Sequence, residues 1–167
     1  VLHKAMVADW QSGVLDADIA SDIWLNWDAI QGSAGADRIR TNSWGYAVEL
    51  RGGGGHDVLA TGLTGVVADI LRGEAGNDQL NGGAGGDYLD GGTEADYMIG
   101  GLGNDAMAGG AGADRLFGDQ GADLYHGGTG NDIFYFRWVT DSGVASGLRD
   151  TIRDFAAGDK IDLHYMD

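Results

Sequence analysis

Residues 73–135 read as seven consecutive nine-residue units, GEAGNDQLN, GGAGGDYLD, GGTEADYMI, GGLGNDAMA, GGAGADRLF, GDQGADLYH and GGTGNDIFY. A period this short and this regular implies a solenoid. Position six is always aspartate (Asp78, Asp87, Asp96, Asp105, Asp114, Asp123, Asp132), and position eight is always large and apolar (Leu80, Leu89, Met98, Met107, Leu116, Tyr125, Phe134). The glycine-rich first six residues suit a tight turn, and the last three suit a short strand whose middle side chain points inward. Two turns and two strands then make one coil of eighteen residues.

Stacking such coils brings aspartates eighteen residues apart to within about 4.8 Å of each other. Two carboxylates at that spacing repel by roughly 1 kcal/mol in water and by about 3.5 kcal/mol at an effective dielectric constant near 20. The repulsion recurs at every rung, so a cation must lie between them. Carboxylates plus the carbonyls of glycine-rich turns, in a chain without cysteine, select a hard ion with a flexible oxygen shell: calcium, with magnesium the weaker candidate.

The units resemble the GGxGxDxUx nonapeptides of RTX proteins, and the resemblance implies an all-β, right-handed parallel β-roll loaded with calcium. Upstream, GSAGADRIR (32–40) and GGGGHDVLA (52–60) fit the same pattern with Asp37 and Asp57. IWLNWDAIQ (23–31), SWGYAVELR (43–51) and TGVVADILR (64–72) are degraded copies, separated by the insertions Thr41-Asn42 and Thr61-Gly62-Leu63. Twelve units over 23–135 make six coils. The ligands expected are the nine position-six aspartates together with turn carbonyls of Gly32, Gly35, Gly52, Gly73, Gly76, Gly82, Gly85, Gly91, Gly100, Gly103, Gly109, Gly112, Gly118, Gly121, Gly127 and Gly130, with Asp69 as a further candidate. Glu94 departs from the pattern by replacing the glycine of position four.

Alternation of the units predicts two unequal turn columns. One holds Asp37, Asp57, Asp78, Asp96, Asp114 and Asp132; in the other only Asp87, Asp105 and Asp123 combine aspartate with turn glycines, and Val48 replaces the aspartate outright. With one ion between adjacent turns, the first column offers five sites and the second two, plus one more if Asp69 joins Asp87. The expected complement is seven or eight calcium ions.

Composition narrows the function classes. In 167 residues there are 32 glycines, no proline, no cysteine and a net charge of −16, which suits one elongated domain with a thin core and argues against nucleic acid or an anionic membrane as partner. No apolar run approaches the ~20 residues of a membrane span. Val1 opens the chain without an initiator methionine or signal peptide, so the sequence is expected to be part of a longer protein.

The flanks carry less information. Leu2, Met6, Trp10 and Val14 at four-residue spacing suggest a helical cap over residues 1–22, with Trp24 and Trp27 helping to cover the first coil. The triplet Asp16, Asp18 and Asp22 is no EF-hand, since Ser21 and Trp27 fall where glycine and glutamate belong. After Tyr135 the repeat is expected to give way to a closing segment (136–167). FRWVTDSGVASGLRDTIRDFAAGDKIDL (136–163) resembles the segment that follows the repeats in serralysin-type proteases and in the R-modules of mannuronan C5-epimerases. Its matching residues are Asp141-Ser142-Gly143, Arg149-Asp150, Ile152, Asp154-Phe155, Gly158-Asp159 and Ile161-Asp162-Leu163. Asp150 and Asp154 are candidates to complete the last calcium sites, and Ile152, Phe155, Ile161 and Leu163 to cover the last coil.

Catalytic patterns are missing from the sequence: His3, His56, His126 and His164 are dispersed, and neither HExxH nor GxSxG nor a phosphate-loop GK[ST] occurs. The leading expectation is a non-catalytic calcium-responsive module that stabilises a larger exported protein, with secretion by the type I route implied by the resemblance. The alternative is an R-module-like binder of acidic polysaccharide. For that reading the outward residues Tyr97, Arg115, Phe117 and Tyr135 are the glycan candidates, aromatics to stack on sugar rings and an arginine for a uronate.

Overall fold

A computed structural model describes residues 6–7, 14–15, 29–41, 46–63, 65–137 and 149–163. Among these residues sixteen strands alternate between two parallel sheets. One sheet contains β1 (Met6–Val7), β3 (Ile30–Gln31), β5 (Glu49–Gly54), β7 (Ile70–Ala75), β9 (Tyr88–Thr93), β11 (Ala106–Gly112), β13 (Leu124–Gly130) and β15 (Thr151–Ile152), stacked in that order. The other contains β2 (Val14–Leu15), β4 (Arg38–Arg40), β6 (Val58–Ala60), β8 (Gln79–Ala84), β10 (Tyr97–Leu102), β12 (Arg115–Gln120), β14 (Ile133–Tyr135) and β16 (Lys160–Asp162). Strands β3 to β14 form the six coils that the spacing implies. The fold is an all-β parallel solenoid.

Register follows the nonapeptide. Met98 lies opposite Leu80 and Leu116, and Met107 opposite Leu89 and Tyr125, so position eight stacks on position eight along each sheet. The core is that stack. Ile39, Leu50, Leu59, Leu71, Leu80, Leu89, Met98, Met107, Leu116, Tyr125 and Phe134 are each at most 2% exposed, and they meet as two interdigitating rows between the sheets. Positions seven and nine on either side alternate outward, as the two-residue period of a strand requires.

Glycine at position four has a steric cause that the coils share. At Gly103 (φ 126°) and Gly130 (φ 141°) an added Cβ would collide with the carbonyl of the position-four glycine one coil earlier, Gly85 and Gly112 respectively. Glu94 keeps the same left-handed path at φ 71°, at a cost of about 1–2 kcal/mol. Its carboxylate offsets part of this cost by accepting from the Gly76 N–H (3.0 Å) and the Thr93 hydroxyl (2.6 Å).

Three expectations change. Where the four-residue spacing suggests a helix over 1–22, Met6–Val7 and Val14–Leu15 are strands: Met6 pairs with Ile30 and Leu15 with Ile39, so nine-residue spacing and ladder pairing override the helical pattern. The rest of 1–22, with Trp24, Trp27 and Asp28, lies outside the described residues. Second, Thr61 and Gly62 are not inserted. They take positions one and two of their turn, stacked on Gly82 and Gly83, and the extra length falls between Gly62 and Val67, where Leu63 and Val66 are exposed.

Third, the repeat does not stop at Tyr135. Asp150-Thr151-Ile152 and Asp159-Lys160-Ile161 repeat the aspartate-x-apolar signature, and β15 and β16 continue the register, with Ile152 opposite Tyr125 and Ile161 opposite Phe134. Ile152 packs against the core and the Phe155 ring lies 6.1 Å from that of Phe134. Phe155, Ile161 and Leu163 remain about half exposed, because they form the outermost described layer of the stack. Asp141-Ser142-Gly143 lies outside the described residues.

Leu89 has no exposure and touches only core, whereas its neighbour Tyr88 points out from the same strand. Leu89→Ala is expected to lower the unfolding free energy in excess calcium by about 2–5 kcal/mol, as for other buried leucines. Tyr88→Ala is expected to cost about 1 kcal/mol or less. Urea denaturation measures both; equal losses would contradict the inward assignment of position eight.

Candidate metal centre

Each position-six aspartate immediately precedes the strand after its turn, and its carboxylate folds back under the turn of its own coil. Oδ1 accepts a hydrogen bond from the backbone N–H of the aspartate one coil earlier. On one side the chain of bonds runs Asp37 N–H to Asp57, Asp57 to Asp78, Asp78 to Asp96, Asp96 to Asp114, Asp114 to Asp132 and Asp132 to Asp159, at 2.7–3.0 Å. On the other it runs Val48 N–H to Asp69, Asp69 to Asp87, Asp87 to Asp105, Asp105 to Asp123 and Asp123 to Asp150, at 2.8–2.9 Å. The two columns are those that alternation of the units assigns.

The second oxygen has no such partner. Oδ2 of Asp57, Asp78, Asp87, Asp96, Asp105, Asp114, Asp123 and Asp132 is buried without a hydrogen-bond donor, in residues no more than 2% exposed. These atoms explain the glycine of position one: a Cβ on Gly73, Gly91 or Gly109 would occupy the place of Oδ2 of Asp78, Asp96 or Asp114. The carbonyl oxygen of the next coil's position-one glycine approaches the same point (Gly91, Gly109 and Gly127 in turn). Two acceptor oxygens therefore converge with no donor group between them.

Such an array cannot stay charged and dry. Burial pushes the Asp96 carboxyl up to about 8, Asp87 and Asp123 to about 7, and Asp57, Asp105 and Asp114 to about 6, although the N–H of the preceding aspartate pulls each one down. Asp78 and Asp132 are raised by the same desolvation. Either protons or cations must neutralise the ladders. Among the described residues no three acidic or histidine side chains converge, so a cation here draws on few carboxylates, with turn carbonyls completing the shell. That donor set, all oxygen and mostly neutral, fits calcium.

Other candidate residues fall into place differently. Asp150 extends one ladder by accepting from the Asp123 N–H. Asp154 has both oxygens engaged, Oδ1 by the Gly127 N–H (2.8 Å) and Oδ2 by the Gly128 N–H (2.7 Å), with His126 Nε2 at 3.2 Å, so it fastens the closing segment to the last full turn. Asp159, which the sequence reading did not nominate, extends the other ladder; its signal is the Asp159-Lys160-Ile161 phase. His56 and His126 are exposed, while His3 and His164 lie outside the described residues.

Of the glycan candidates, Phe117 is 6% exposed. Tyr135 stacks on it at 4.1 Å with an 8° interplanar angle, Tyr97 lies 5.0 Å away, and the Arg137 guanidinium sits 4.1 Å from its centroid while donating to the Tyr97 hydroxyl at 3.2 Å. Arg115 is exposed, between Tyr97 and Ile133 in the register.

A parallel β-solenoid with buried carboxylate ladders and carbonyl-lined turns belongs to the class of metal-loaded repeat modules. Comparison with known families is specific: residues 26–43, 64–98 and 99–134, over half the chain, match the RTX calcium-binding nonapeptide repeat (4 copies). The chain belongs to that family and is a calcium-binding module. Neither curated proteins nor solved structures give a match. Residues 52–60, outside the matched segments, carry Asp57 in full register with the ladder.

The raised carboxyl values fix the sign of the pH dependence. Without metal, the folded roll holds more protons than the unfolded chain from about pH 4 to about pH 8, so its stability falls as pH rises through that window. With calcium bound the carboxylates are held ionised, and stability is lost as pH falls and protons compete. In chelator the β signal in circular dichroism is therefore expected to be stronger at about pH 4.5 than at about pH 8, whereas in excess calcium the urea midpoint is expected to be higher at about pH 8 than at about pH 4.5. The same trend in both media would contradict the ladder as the titrating element.

Proposed function

We propose that this module is folded by external calcium and thereby stabilises a larger protein exported by the type I route. The observation that carries this reading is the set of buried, donorless carboxylate oxygens, one in each rung from Asp57 to Asp132 and from Asp87 to Asp123. In a calcium-poor cytosol each rung would desolvate negative charge with nothing to balance it, and 19 of the 63 residues from 73 to 135 are glycines with maximal backbone entropy to lose. The chain would stay extended and translocation-competent. Outside, calcium binding becomes folding free energy, with affinities on the order of 10⁻⁴ to 10⁻³ M per site, as in other extracellular calcium modules. RTX repeats are typical of proteins secreted in this way.

A polysaccharide-binding role is less well supported, because the centre of its platform is taken. Tyr135 and the Arg137 guanidinium both lie within 4.1 Å of the Phe117 ring centroid, which two groups can do only from opposite faces. Among the described residues no helix is long and apolar enough to cross a membrane.

Circular dichroism during calcium titration tests the proposal. The expected outcome is a largely disordered spectrum in chelator that turns cooperatively to β on adding calcium, with magnesium far less effective. Asp96→Asn is expected to shift the midpoint to higher calcium. A full β spectrum in excess chelator at neutral pH would overturn the proposal.

A further inference from the structure

The two ladders begin differently from the way they continue. On one side the Oδ2 atoms from Asp57 through Asp132 lack a donor, but Oδ2 of Asp37 accepts from both the Ser33 N–H (2.6 Å) and the Ser33 hydroxyl (2.9 Å). Ser33 occupies position two of its turn. The equivalent residues of that column, Gly53, Glu74, Gly92, Gly110 and Gly128, all have positive φ, and Ser33 does not.

On the opposite side Thr61 occupies position one, which is glycine in all seven consecutive units because Oδ2 fills the Cβ space. The Thr61 hydroxyl, 7% exposed, donates to the Gly82 carbonyl oxygen. One coil further along the same column, the equivalent carbonyl of Gly100 faces Asp87 Oδ2 beside Gly82, with no donor between them. A hydroxyl thus enters the first described aspartate rung of each column and binds one of the two oxygens that converge elsewhere: the carboxylate on one side, the carbonyl on the other.

We propose that Ser33 and Thr61 terminate the calcium ladders at their N-terminal ends, each hydroxyl taking the place a cation takes in later rungs. Turns 32–37 and 52–57, and turns 61–69 and 82–87, then close on each other without an ion. The substitution suits an end. Asp37 is 7% exposed where Asp57 is 1%, so a cation at the first rung would be held in a wetter, higher-dielectric place and would leave most readily. A hydroxyl donates without depending on calcium and leaves the first coils a metal-independent surface on which the rest can stack. This inference rests on calcium occupying the rungs with donorless oxygens.

Ion counting by native mass spectrometry of the full chain, at a fixed calcium excess, tests it. Asp37→Asn and Asp69→Asn are expected to carry as many calcium ions as the wild type, and Asp96→Asn at least one fewer. Ser33→Gly, which removes the hydroxyl and lets position 33 take the positive φ of the later coils, and Thr61→Gly, which removes the hydroxyl, are each expected to gain one ion, while Ser33→Thr gains none. Loss of an ion in Asp37→Asn or Asp69→Asn overturns the proposal, as does no gain in the two glycine variants when their β spectrum is intact. Should a glycine variant fail to fold, the asparagine variants decide, since each keeps one oxygen acceptor. A wild-type chain that binds no calcium would overturn the calcium reading itself, a different result from a wrong count.

Discussion

A carboxylate with one oxygen paired and the other sealed away from any donor is the constraint on which this molecule depends. Oδ1 of each ladder aspartate joins its coil to the previous one through a backbone N–H, so the residue cannot swing out to water without breaking the stack. Oδ2 is thereby held in a dry turn. The pairing that orders the roll is the pairing that makes it intolerant of its own charge, since burial favours the neutral carboxyl at Asp87 and Asp96.

That coupling accounts for the economy of the core. One inward side chain in nine residues is little apolar area to set against the backbone entropy of a glycine-rich chain. A protein with a larger core would fold whether or not metal were present, and its metal sites would be accessories. Here the rows of Leu, Met, Tyr and Phe select the register, because a slip of one residue would turn every one of them outward. The aspartate turns add a condition that hydrophobic burial alone does not meet.

Much of this was legible in the sequence, because the nonapeptide fixes both chemistry and geometry: position six names the acid, position eight names the core, and alternation assigns columns that the hydrogen bonds of Asp57 to Asp78 and of Asp87 to Asp105 reproduce. What was not legible depends on the neighbouring coil. Met6 and Leu15 are nine residues apart, but their strand character follows from pairing with Ile30 and Ile39, and a four-residue apolar spacing read alone suggests a helix. Thr61 reads as an insertion until its stacking on Gly82 places it at position one. Asp159 reads only as part of the closing-segment match until β16 aligns with β14. Arg137 carries no motif, and its place over Phe117 follows only from where the chain leaves the last full coil.

The departures from the repeat are not scattered defects. Glu94 and Glu74 accept left-handed backbone inside the regular region and keep the carbonyl path that the next coil needs, since the Glu94 carbonyl still approaches Gly112 and the Glu74 carbonyl approaches Gly92. Replacing glycine at these places adds strain but leaves the oxygen array intact. Val48, Ser33 and Thr61 instead change the array itself, and all three lie in the N-terminal half, where turns also vary in length. Toward the other end the pattern tightens, and Asp150 and Asp159 carry both ladders one rung past the last full coil. The sequence therefore grades the roll along its axis, from turns where a hydroxyl meets one of the converging oxygens to turns where Oδ2 and a carbonyl meet with no donor between them.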